Sequence, residues 1–354
     1  MSRLISSSFS LSTLLIVSGF LLGADCLGVP LDDDDAAEPL LMATNAGSVG
    51  RFAGELDSAS TLWTASILDS NRVSLAADGS TAYVGAGDEV AAFSLDGAGT
   101  MDPLWSWGAP DDVVALAGPA SGRLFVMTNS TLHGLDTNGG ELWSVDLLID
   151  LGGVSDDALA VSGSDLILGG DPTRRLDPST GTVTHTLATG SSDVSDLVVA
   201  GGVAYIGAAS SVIAASSSTL AEQWSVPTTA AVDQVAVSGT SVAYAERGGV
   251  VGVVTLTGNP VFDTATSEVY DALMVVENLV VAARLDGALF AWDELDGTEI
   301  WSAPELSGPV GSLDSNTVTA FYGHGDVLEG INLSDGSTLW QLSTSGEPVA
   351  VLAL

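Results

Sequence analysis

Short apolar segments, separated by clusters of glycine, aspartate, asparagine and serine, run along the chain from Leu40 to its end. Residues 279–301 show the unit most clearly, with three apolar stretches, two acidic glycine-containing turns, and Trp301 in the last stretch. Short apolar segments bounded by turn-forming residues predict β-strands joined by tight reversals. An amphipathic helical period is not evident after the N-terminal segment. We therefore predict an all-β fold.

The unit recurs with a period of about 40 residues, which is typical of a β-propeller with four-stranded blades. A tryptophan marks the last strand of six units, and in two degenerate copies its place is taken by His185 or Thr184 and by Phe262. An indole at this position would fill the wedge between blades while its N–H reaches a carbonyl. The six predicted blade anchors are Trp63, Trp105, Trp143, Trp224, Trp301 and Trp340.

The two ends of the repeat region determine the blade count. Seven innermost strands are predicted to begin near Val73, Val113, Ala158, Val194, Val232, Ala272 and Val310. Residues 40–67 supply three strands that lack a first strand, and residues 349–354 resemble an inner strand with nothing after it. We predict an eight-bladed propeller over residues 40–354. It closes when the C-terminal strand pairs into the N-terminal blade, which removes an exposed sheet edge.

The segment before the repeats predicts export. An apolar run at 11–23 follows Arg3 and a serine-rich start, as in a secretory signal peptide over residues 1–26, and it is too short to predict a membrane span. Residues 22–26 resemble a bacterial lipobox in which Cys26 would be lipidated, although Asp25 departs from the small uncharged residue usual there. Lipidation, simple cleavage with secretion, and an uncleaved anchor all stay open. Each places the mature domain outside the cytoplasm.

Acidic residues dominate the charge balance. Residues 27–39 carry four consecutive aspartates and two prolines, and we interpret them as a flexible, solvated linker because a calcium loop needs alternating ligands and a turn glycine. The whole chain has 45 acidic and 8 basic residues, for a net charge of -37. Nucleic acid is not an expected partner, nor is a membrane except through an N-terminal lipid, since phosphate binding requires clustered cations. The acidity fits either a solvating surface in high or variable salt, or a specific site for cations or a basic partner.

Four aspartates form a candidate for such a site. Asp112, Asp157, Asp233 and Asp271 each stand before an inner strand, at the same spacing from a residue that follows that strand. A propeller would bring carboxylates in one register toward one mouth of the central channel. There they would repel one another and attract a cation or a basic peptide. This acidic channel rim is a hypothesis beside the simpler interpretation that the four acids solvate loops.

Signals for catalysis are weak. With one cysteine the chain can form neither an internal disulfide nor a cysteine metal cluster. His133, His185 and His324 lie in different units, and His324 is predicted in a turn between second and third strands. Aspartate-rich turns such as 136–140 and 293–297 lack the ligand alternation and closing glutamate of a calcium loop, so we interpret them as tight reversals. We predict no catalytic residue, no metal site and no cofactor.

Several units resemble the PQQ-like propeller repeat, whose strands read "vYvg", "lyAlD" and "tG-lW". The resemblance is carried by residues 82–105, 124–143 and 176–181, and it extends over about residues 40–354. The repeat is shared by quinone-dependent dehydrogenases and by propellers that bind no quinone. In length, blade count and leader, the chain is similar to the second branch, which includes the BamB-like lipoproteins of outer-membrane barrel assembly. It lacks the vicinal cysteine pair often present in the dehydrogenases, and neither PQQ nor calcium binding is supported.

The resemblance implies a non-catalytic, monomeric scaffold of the cell envelope or cell surface. Such a scaffold would offer its loop faces or its channel mouth to a protein partner, as in outer-membrane protein assembly. Two alternatives stay open: an extracellular propeller that binds carbohydrate or another ligand, and, less favoured, a PQQ-dependent oxidoreductase. The expected location is periplasmic, outer-membrane or cell-surface as a lipoprotein, and otherwise secreted.

Overall fold

The computed structural model describes residues 38–55, 58–68, 72–148, 158–190, 194–265, 269–303, 310–316 and 318–354. Over these ranges the chain forms eight antiparallel sheets and no helix, so none of the described residues belongs to a helix that could cross a membrane. The predicted signal peptide, Cys26 and Asp157 lie outside the described residues, as does nearly all of the predicted linker. In each sheet we call the strands A to D in hydrogen-bonded order, starting with the strand nearest the channel.

The sheets are the eight blades of a propeller, and the first blade uses strands from both ends of the chain. Blade 1 contains β33 (Pro348–Ala353), β1 (Glu38–Thr44), β2 (Ser48–Glu55) and β3 (Ser58–Ser66), with β7 (Gly99–Thr100) added at its outer edge. Blade 2 contains β4 (Val73–Ala77), β5 (Thr81–Ala86), β6 (Glu89–Ser94) and β8 (Trp105–Gly108). Blade 3 contains β9 (Val113–Ala120), β10 (Arg123–Thr128), β11 (Thr131–Asp136) and β12 (Glu141–Asp146). Blade 4 contains β13 (Leu159–Ser162), β14 (Asp165–Leu168), β15 (Thr173–Leu176) and β16 (Val183–Leu187).

The remaining four blades follow the repeat without an added strand. Blade 5 contains β17 (Asp196–Ala200), β18 (Val203–Ala208), β19 (Ser211–Ser216) and β20 (Glu222–Pro227). Blade 6 contains β21 (Val232–Val237), β22 (Ser241–Glu246), β23 (Val250–Thr255) and β24 (Pro260–Ala265). Blade 7 contains β25 (Tyr270–Val276), β26 (Leu279–Arg284), β27 (Leu289–Asp293) and β28 (Glu299–Ala303). Blade 8 contains β29 (Val310–Ser315), β30 (Thr319–His324), β31 (Val327–Asn332) and β32 (Thr338–Ser343).

Burial explains the apolar pattern of the strands. Strands B and C lie between two neighbouring blades and are buried on both sides, so β5 and β10 are almost continuously apolar instead of alternating. Strand D lies at the perimeter, and β20 alternates between exposed and half-buried positions. Each of the eight apolar clusters joins residues of two adjacent blades, and the A strands contact one another in a closed cycle. The predicted eight-bladed propeller is confirmed.

Two strand pairings close the ring at blade 1. The predicted one is present: β33 pairs antiparallel with β1, which places Val351 beside Met42 and Ala353 beside Leu40. The second was not predicted: β7 pairs in parallel with the outer strand β3, and Met101 N donates to Thr64 O at 2.8 Å. The seam is therefore held at both its inner and its outer edge.

A repeated contact joins neighbouring blades at the C–D turn, the turn between strands C and D. Four indole N–H groups on D strands donate to a carbonyl in the C–D turn of the next blade: Trp105 to Thr137 at 2.9 Å, Trp143 to Pro178 at 3.0 Å, Trp224 to Leu256 at 2.8 Å and Trp301 to Leu333 at 2.7 Å. A glycine with positive φ in each of these turns lies against the same ring. These glycines are Gly139, Gly181, Gly258 and Gly336. Both the missing Cβ and the positive φ require glycine there.

At the junction between blades 1 and 2, a different hydrogen bond takes the place of the tryptophan contact. Trp63 is fully buried, but its Nε1 has no acceptor among the described residues. Arg51, on β2 beside Trp63, instead donates from its guanidinium to Leu95 O. Leu95 directly follows β6, in the C–D segment of blade 2, so Arg51 takes the donor role that an indole has at the other junctions.

The two junctions without tryptophan use polar groups. After Phe262, the buried Glu294 of blade 7 accepts hydrogen bonds from the hydroxyls of Ser238, Thr240 and Ser241 in blade 6, at 2.5 to 2.6 Å. Burial alone would raise the pKa of Glu294, but these donors outweigh it and hold that pKa below its usual range. Such a carboxylate ties two blades together and is a structural group.

At the other such junction, after His185, two contacts replace the indole. Ser217 of blade 5 donates to Asp165 of blade 4 at 2.6 Å. Leu220 also occupies the turn position that is glycine elsewhere: its N–H donates to Ser216 O at 2.7 Å, and its φ is 51°. Leu220 is only 2% exposed, whereas His185 is exposed.

Candidate functional site

The propeller has two loop faces, because strands alternate in direction within each blade. The turns that join strands B and C, and the loops that lead from strand D to the next strand A, lie on one side, which we call the DA face. The A–B and C–D turns lie on the other side, which we call the AB face. A strands line the channel that connects them.

Two of the four rim aspartates meet at the channel on the DA face. Asp233 and Asp271 occupy the same bulge near the start of strands β21 and β25, where the pairing with strand B skips one residue. The side chain of Asp271 reaches solvent, but the protein around it removes part of its hydration and raises its pKa, and the charge of Asp233 raises that pKa further. The shared register and this mutual repulsion show that the two carboxylates form one negative group.

The other two rim aspartates are not brought to this group. Asp112 precedes β9 and is exposed, and the bulge of that blade falls at Val114. It therefore lies two positions before the residue that is equivalent to Asp233 and Asp271. Asp157 lies outside the described residues. The sequence pattern was inferred from the spacing between each aspartate and a residue that follows the strand. This spacing does not indicate where the bulge lies.

Arginines accompany the acids at this mouth. Arg247, in the B–C turn of blade 6, pairs with Asp233 at 2.8 Å and remains more than half exposed. In blade 7, Arg284 pairs with Asp286 and holds the pKa of that carboxyl below its usual range. Asp271 is exposed at the channel beside these pairs. The channel mouth over blades 6 and 7 therefore carries both acidic and basic side chains, and the acidic ones are in excess.

Two other channel aspartates have structural partners. Asp196 Oδ2 accepts the N–H of Val235 at 2.7 Å, and Asp314 Oδ2 accepts the N–H of Ala353 at 2.8 Å. Each bond runs from one A strand to the A strand of the next blade. Burial raises the pKa of Asp314, and the N–H groups of Ala353 and Ser315 oppose that rise. These carboxylates join neighbouring A strands of the ring, and no sequence pattern predicts this role.

A cavity of about 700 Å³ opens on the AB face between blades 1 to 3. Its walls are mainly apolar, with Leu75, Leu116 and Leu352 from three consecutive A strands, and Arg51 is its cationic side chain. Asp78 also lines it, but this carboxylate accepts from Ser80 N and Thr81 N at 2.9 Å and from the Tyr83 hydroxyl at 3.0 Å. These bonds make Asp78 part of its own turn. The cavity suits an apolar ligand more than a sugar.

The histidines lie apart, and one differs from its prediction. His324 is the last residue of β30 and is 3% exposed, with Nε2 3.5 Å from Glu329 Oε1, so its prediction as a turn residue is wrong. The ring of the nearby Tyr322 stacks on the buried imidazole of His324. His133 is also buried, edge-on to Trp107, and burial lowers its pKa while Glu141 opposes that shift. Within the described ranges, His, Cys, Asp and Glu side chains form no group of three or more that could hold a metal ion.

The aspartate-rich turns use their carboxylates internally. Asp136 Oδ1 accepts the N–H groups of Asn138 at 2.8 Å and Gly140 at 2.9 Å. Asp293 accepts the N–H of Leu295 in the same way, at 2.8 Å. Side chains that satisfy the backbone of their own turn are typical of Asx turns.

Sequence comparison identifies one family model. The model described as outer membrane protein assembly factor BamB matches residues 128–268 and 227–352, which together span well over half of the chain. A search of curated proteins finds no match.

Solved structures share the fold at low identity. BamB from Moraxella catarrhalis superposes with a TM-score of 0.64 and 19% identity, covering 79% of this chain and 87% of that chain. Apo AztD from Citrobacter koseri gives a TM-score of 0.69 and 10% identity, covering 91% of this chain and 98% of that one. The dihydro-heme d1 dehydrogenase NirN, solved in complex with DHE, gives 0.72 and 13%, covering 92% and 76%. Identities this low establish the propeller architecture alone.

Proposed function

Since the chain belongs to the family of the outer membrane protein assembly factor BamB, we propose that it is a non-catalytic protein-binding propeller of the cell envelope that serves outer-membrane protein assembly. The observation that carries the proposal is the family match, which spans residues 128–352 in two overlapping segments. That region contains blades 5 to 8 entirely, including both aspartates that meet at the channel mouth.

The mouth over blades 6 and 7 supplies the contact surface in this proposal. Asp233 and Asp271 share one register, and Arg247 projects from the neighbouring turn. Such a surface attracts a basic segment of a partner and fixes its orientation through the alternation of charges. In this role Asp271 meets the partner directly, because it is exposed at the channel.

Export and anchoring complete the proposal. The lipobox-like residues 22–26 would attach the mature chain to a membrane through Cys26, and the acidic residues 27–39 would tether the propeller. Intact mass of the protein from its native membrane fraction distinguishes the outcomes. A mass that begins at Cys26 and includes lipid supports the anchored protein, and an unlipidated protein free in the medium argues against it.

Photo-cross-linking in the native membrane tests the binding surface. A photoreactive amino acid at the exposed Arg247 should trap an assembly component identified by mass spectrometry, and the double variant Asp233→Asn, Asp271→Asn should reduce that product severalfold. The matched control is the double variant Glu222→Gln, Asp296→Asn, which neutralises two exposed acids on the opposite face. Equal loss in both double variants, or no cross-link to an assembly component, would contradict the proposal.

A second candidate function, binding of a small apolar ligand, is favoured by the cavity at the AB face. Its size lies within the range of ligand pockets, and three leucines from three blades line it. Native mass spectrometry of the purified protein would show a co-purified ligand. Its loss in an Ala76→Trp variant that fills the cavity would assign the ligand to this site, and retention of the ligand would exclude it.

A further inference from the structure

We infer that the groove between blades 7 and 8 on the AB face docks a partner segment in which apolar side chains are flanked by lysine or arginine. The inference rests on the proposed protein-binding function and names the chemistry of one contact. It concerns the face opposite to Asp233 and Asp271, so the two surfaces can be tested separately.

The groove has an apolar floor and open apolar walls. Its volume is about 490 Å³, and Leu279, Ile300, Val318 and Leu333 line it. Leu333 is 3% exposed and forms the floor, whereas Ile300 is 46% and Val318 is 53% exposed. Two large apolar side chains therefore stand in solvent on either side of a buried one. Covering them would remove apolar surface from water, which favours association.

Val318 departs from the repeat in a way that requires an explanation. It is the residue immediately before strand B, at the end of the A–B turn. In the six preceding blades with a described A–B turn, this position is polar or glycine: Ser80, Gly122, Ser164, Gly202, Thr240 and Asn278. The repeat itself thus has no need for an apolar residue here, and the exposed valine is specific to blade 8.

The turn also holds Val318 in place. Asn316 Oδ1 accepts the N–H of Val318 at 2.9 Å and the N–H of Thr319 at 2.7 Å. This Asx turn fixes the backbone, and a β-branched side chain has few rotamers to lose. Little conformational entropy is therefore lost when a partner covers it.

Charge complementarity selects the partner. Glu277 lines the groove, exposed Glu299 precedes Ile300, and exposed Asp335 follows the lining residue Ser334. The last arginine of the chain is Arg284, on the opposite face, and the chain contains no lysine. An apolar groove with a wholly acidic surround favours apolar side chains between cations and rejects acidic segments.

Binding of defined peptides to the purified propeller tests the inference. The probe is a fluorescent heptapeptide, Lys-Leu-Lys-Val-Lys-Leu-Lys, followed by anisotropy at low salt. One control peptide replaces Leu and Val by Ser, and a second replaces every Lys by Glu. We expect wild-type protein to prefer the probe over both controls. Val318→Asp and Ile300→Asp should weaken probe binding about tenfold or more.

Matched variants separate the groove from general effects. Leu142→Asp and Leu104→Asp place the same charge at leucines that are 50% and 60% exposed on blades 3 and 2, and they should bind the probe like wild type. Melting temperatures confirm that each variant folds. If Val318→Asp unfolds the protein, Val318→Ser is a milder substitution, because serine occupies this turn position in blades 2 and 4. Equal affinity for the serine peptide, or equal loss in Leu142→Asp and Val318→Asp, would overturn the inference.

Failure of the docking site can be distinguished from failure of the proposed function. Asp233→Asn, Asp271→Asn leaves the groove intact and should keep full affinity for the probe. If the groove binds the probe but no assembly component cross-links at Arg247, the assembly role fails while the docking site stands. If the cross-link forms normally and the probe binds without preference, the docking site fails alone.

Discussion

The junction after His185 makes a quantitative prediction, because two residues exchange roles there. In five other junctions an aromatic ring on strand D lies against a turn glycine of the next blade, as Trp301 lies against Gly336. Here the ring is replaced by His185 and the glycine by Leu220, in the same turn position and with the same hydrogen bond to the start of the turn. Leu220 therefore fills the volume that an indole fills elsewhere.

The expected energies follow from burial and backbone strain. Changing Leu220→Gly removes a side chain that is 2% exposed, which costs about 2–5 kcal/mol. It also relieves a non-glycine residue at φ 51°, which returns about 1–2 kcal/mol, so the net loss is about 0–4 kcal/mol. His185→Trp alone should cost about 1–3 kcal/mol, because the indole competes with Leu220 for one space.

The double variant His185→Trp, Leu220→Gly restores the contact of the other junctions. The free energy of unfolding, from urea denaturation of the four proteins in a double-mutant cycle, should show a favourable coupling of about 2 kcal/mol or more. A matched cycle of His185→Trp with the exposed-face change Thr219→Gly should show none. Two single effects that add to within about 0.5 kcal/mol in the first cycle would refute the exchange of roles.

Further predictions concern the seams and the charge. Deleting residues 349–354 should lower the melting temperature of the whole ring by well over 5 °C, since it exposes the edge of β1, and an unchanged melting curve would contradict closure by β33. Glu294→Gln should lose about 1–3 kcal/mol at pH 7. The pKa of Glu294 in the folded protein lies below its unfolded value, so the carboxylate stabilises the fold above the unfolded pKa. The difference in unfolding free energy between wild type and Glu294→Gln should therefore shrink as the pH falls through the folded pKa. Denaturation at several pH values checks this trend. Arg51→Met should destabilise the protein by about 1–3 kcal/mol through the lost bond to Leu95 O, more than the exposed control Arg247→Met. Raising NaCl from 0.1 to 2 M should increase the melting temperature, because a net charge of -37 repels itself less when screened; a decrease would show that specific ion pairs dominate.

The sequence predicted the features that recur in every unit of the repeat. A period of about 40 residues reports the blade, and the incomplete units at the two ends report the closure by β33. The strand β7 was missed because Gly99–Thr100 is too short and too glycine-rich to carry a strand pattern, and it pairs with a different blade from its own. A residue that departs from the repeat is visible in the sequence. The residue that compensates for it lies in the neighbouring blade, as Leu220 does for His185.

The candidate sites show the same limit. Asp233 and Asp271 could be grouped from sequence because their strands have the same bulge. Asp112 could not be separated from them, because the position of a bulge within its strand does not show in the composition. His324 looked like a turn residue because Gly325 follows it, yet β30 extends to it and its side chain is buried. Val318 is visible as an anomaly only once the A–B turns are aligned.

The proposed function is tested most directly by the outer-membrane β-barrel proteins of cells that lack this chain. Their abundance, measured by quantitative mass spectrometry of the envelope, should fall relative to cells that contain it. Wild-type protein should restore this abundance. The double variant Asp233→Asn, Asp271→Asn should restore it only in part, and the opposite-face control Glu222→Gln, Asp296→Asn should restore it fully. Unchanged β-barrel abundance in cells without the chain would contradict the role in outer-membrane protein assembly.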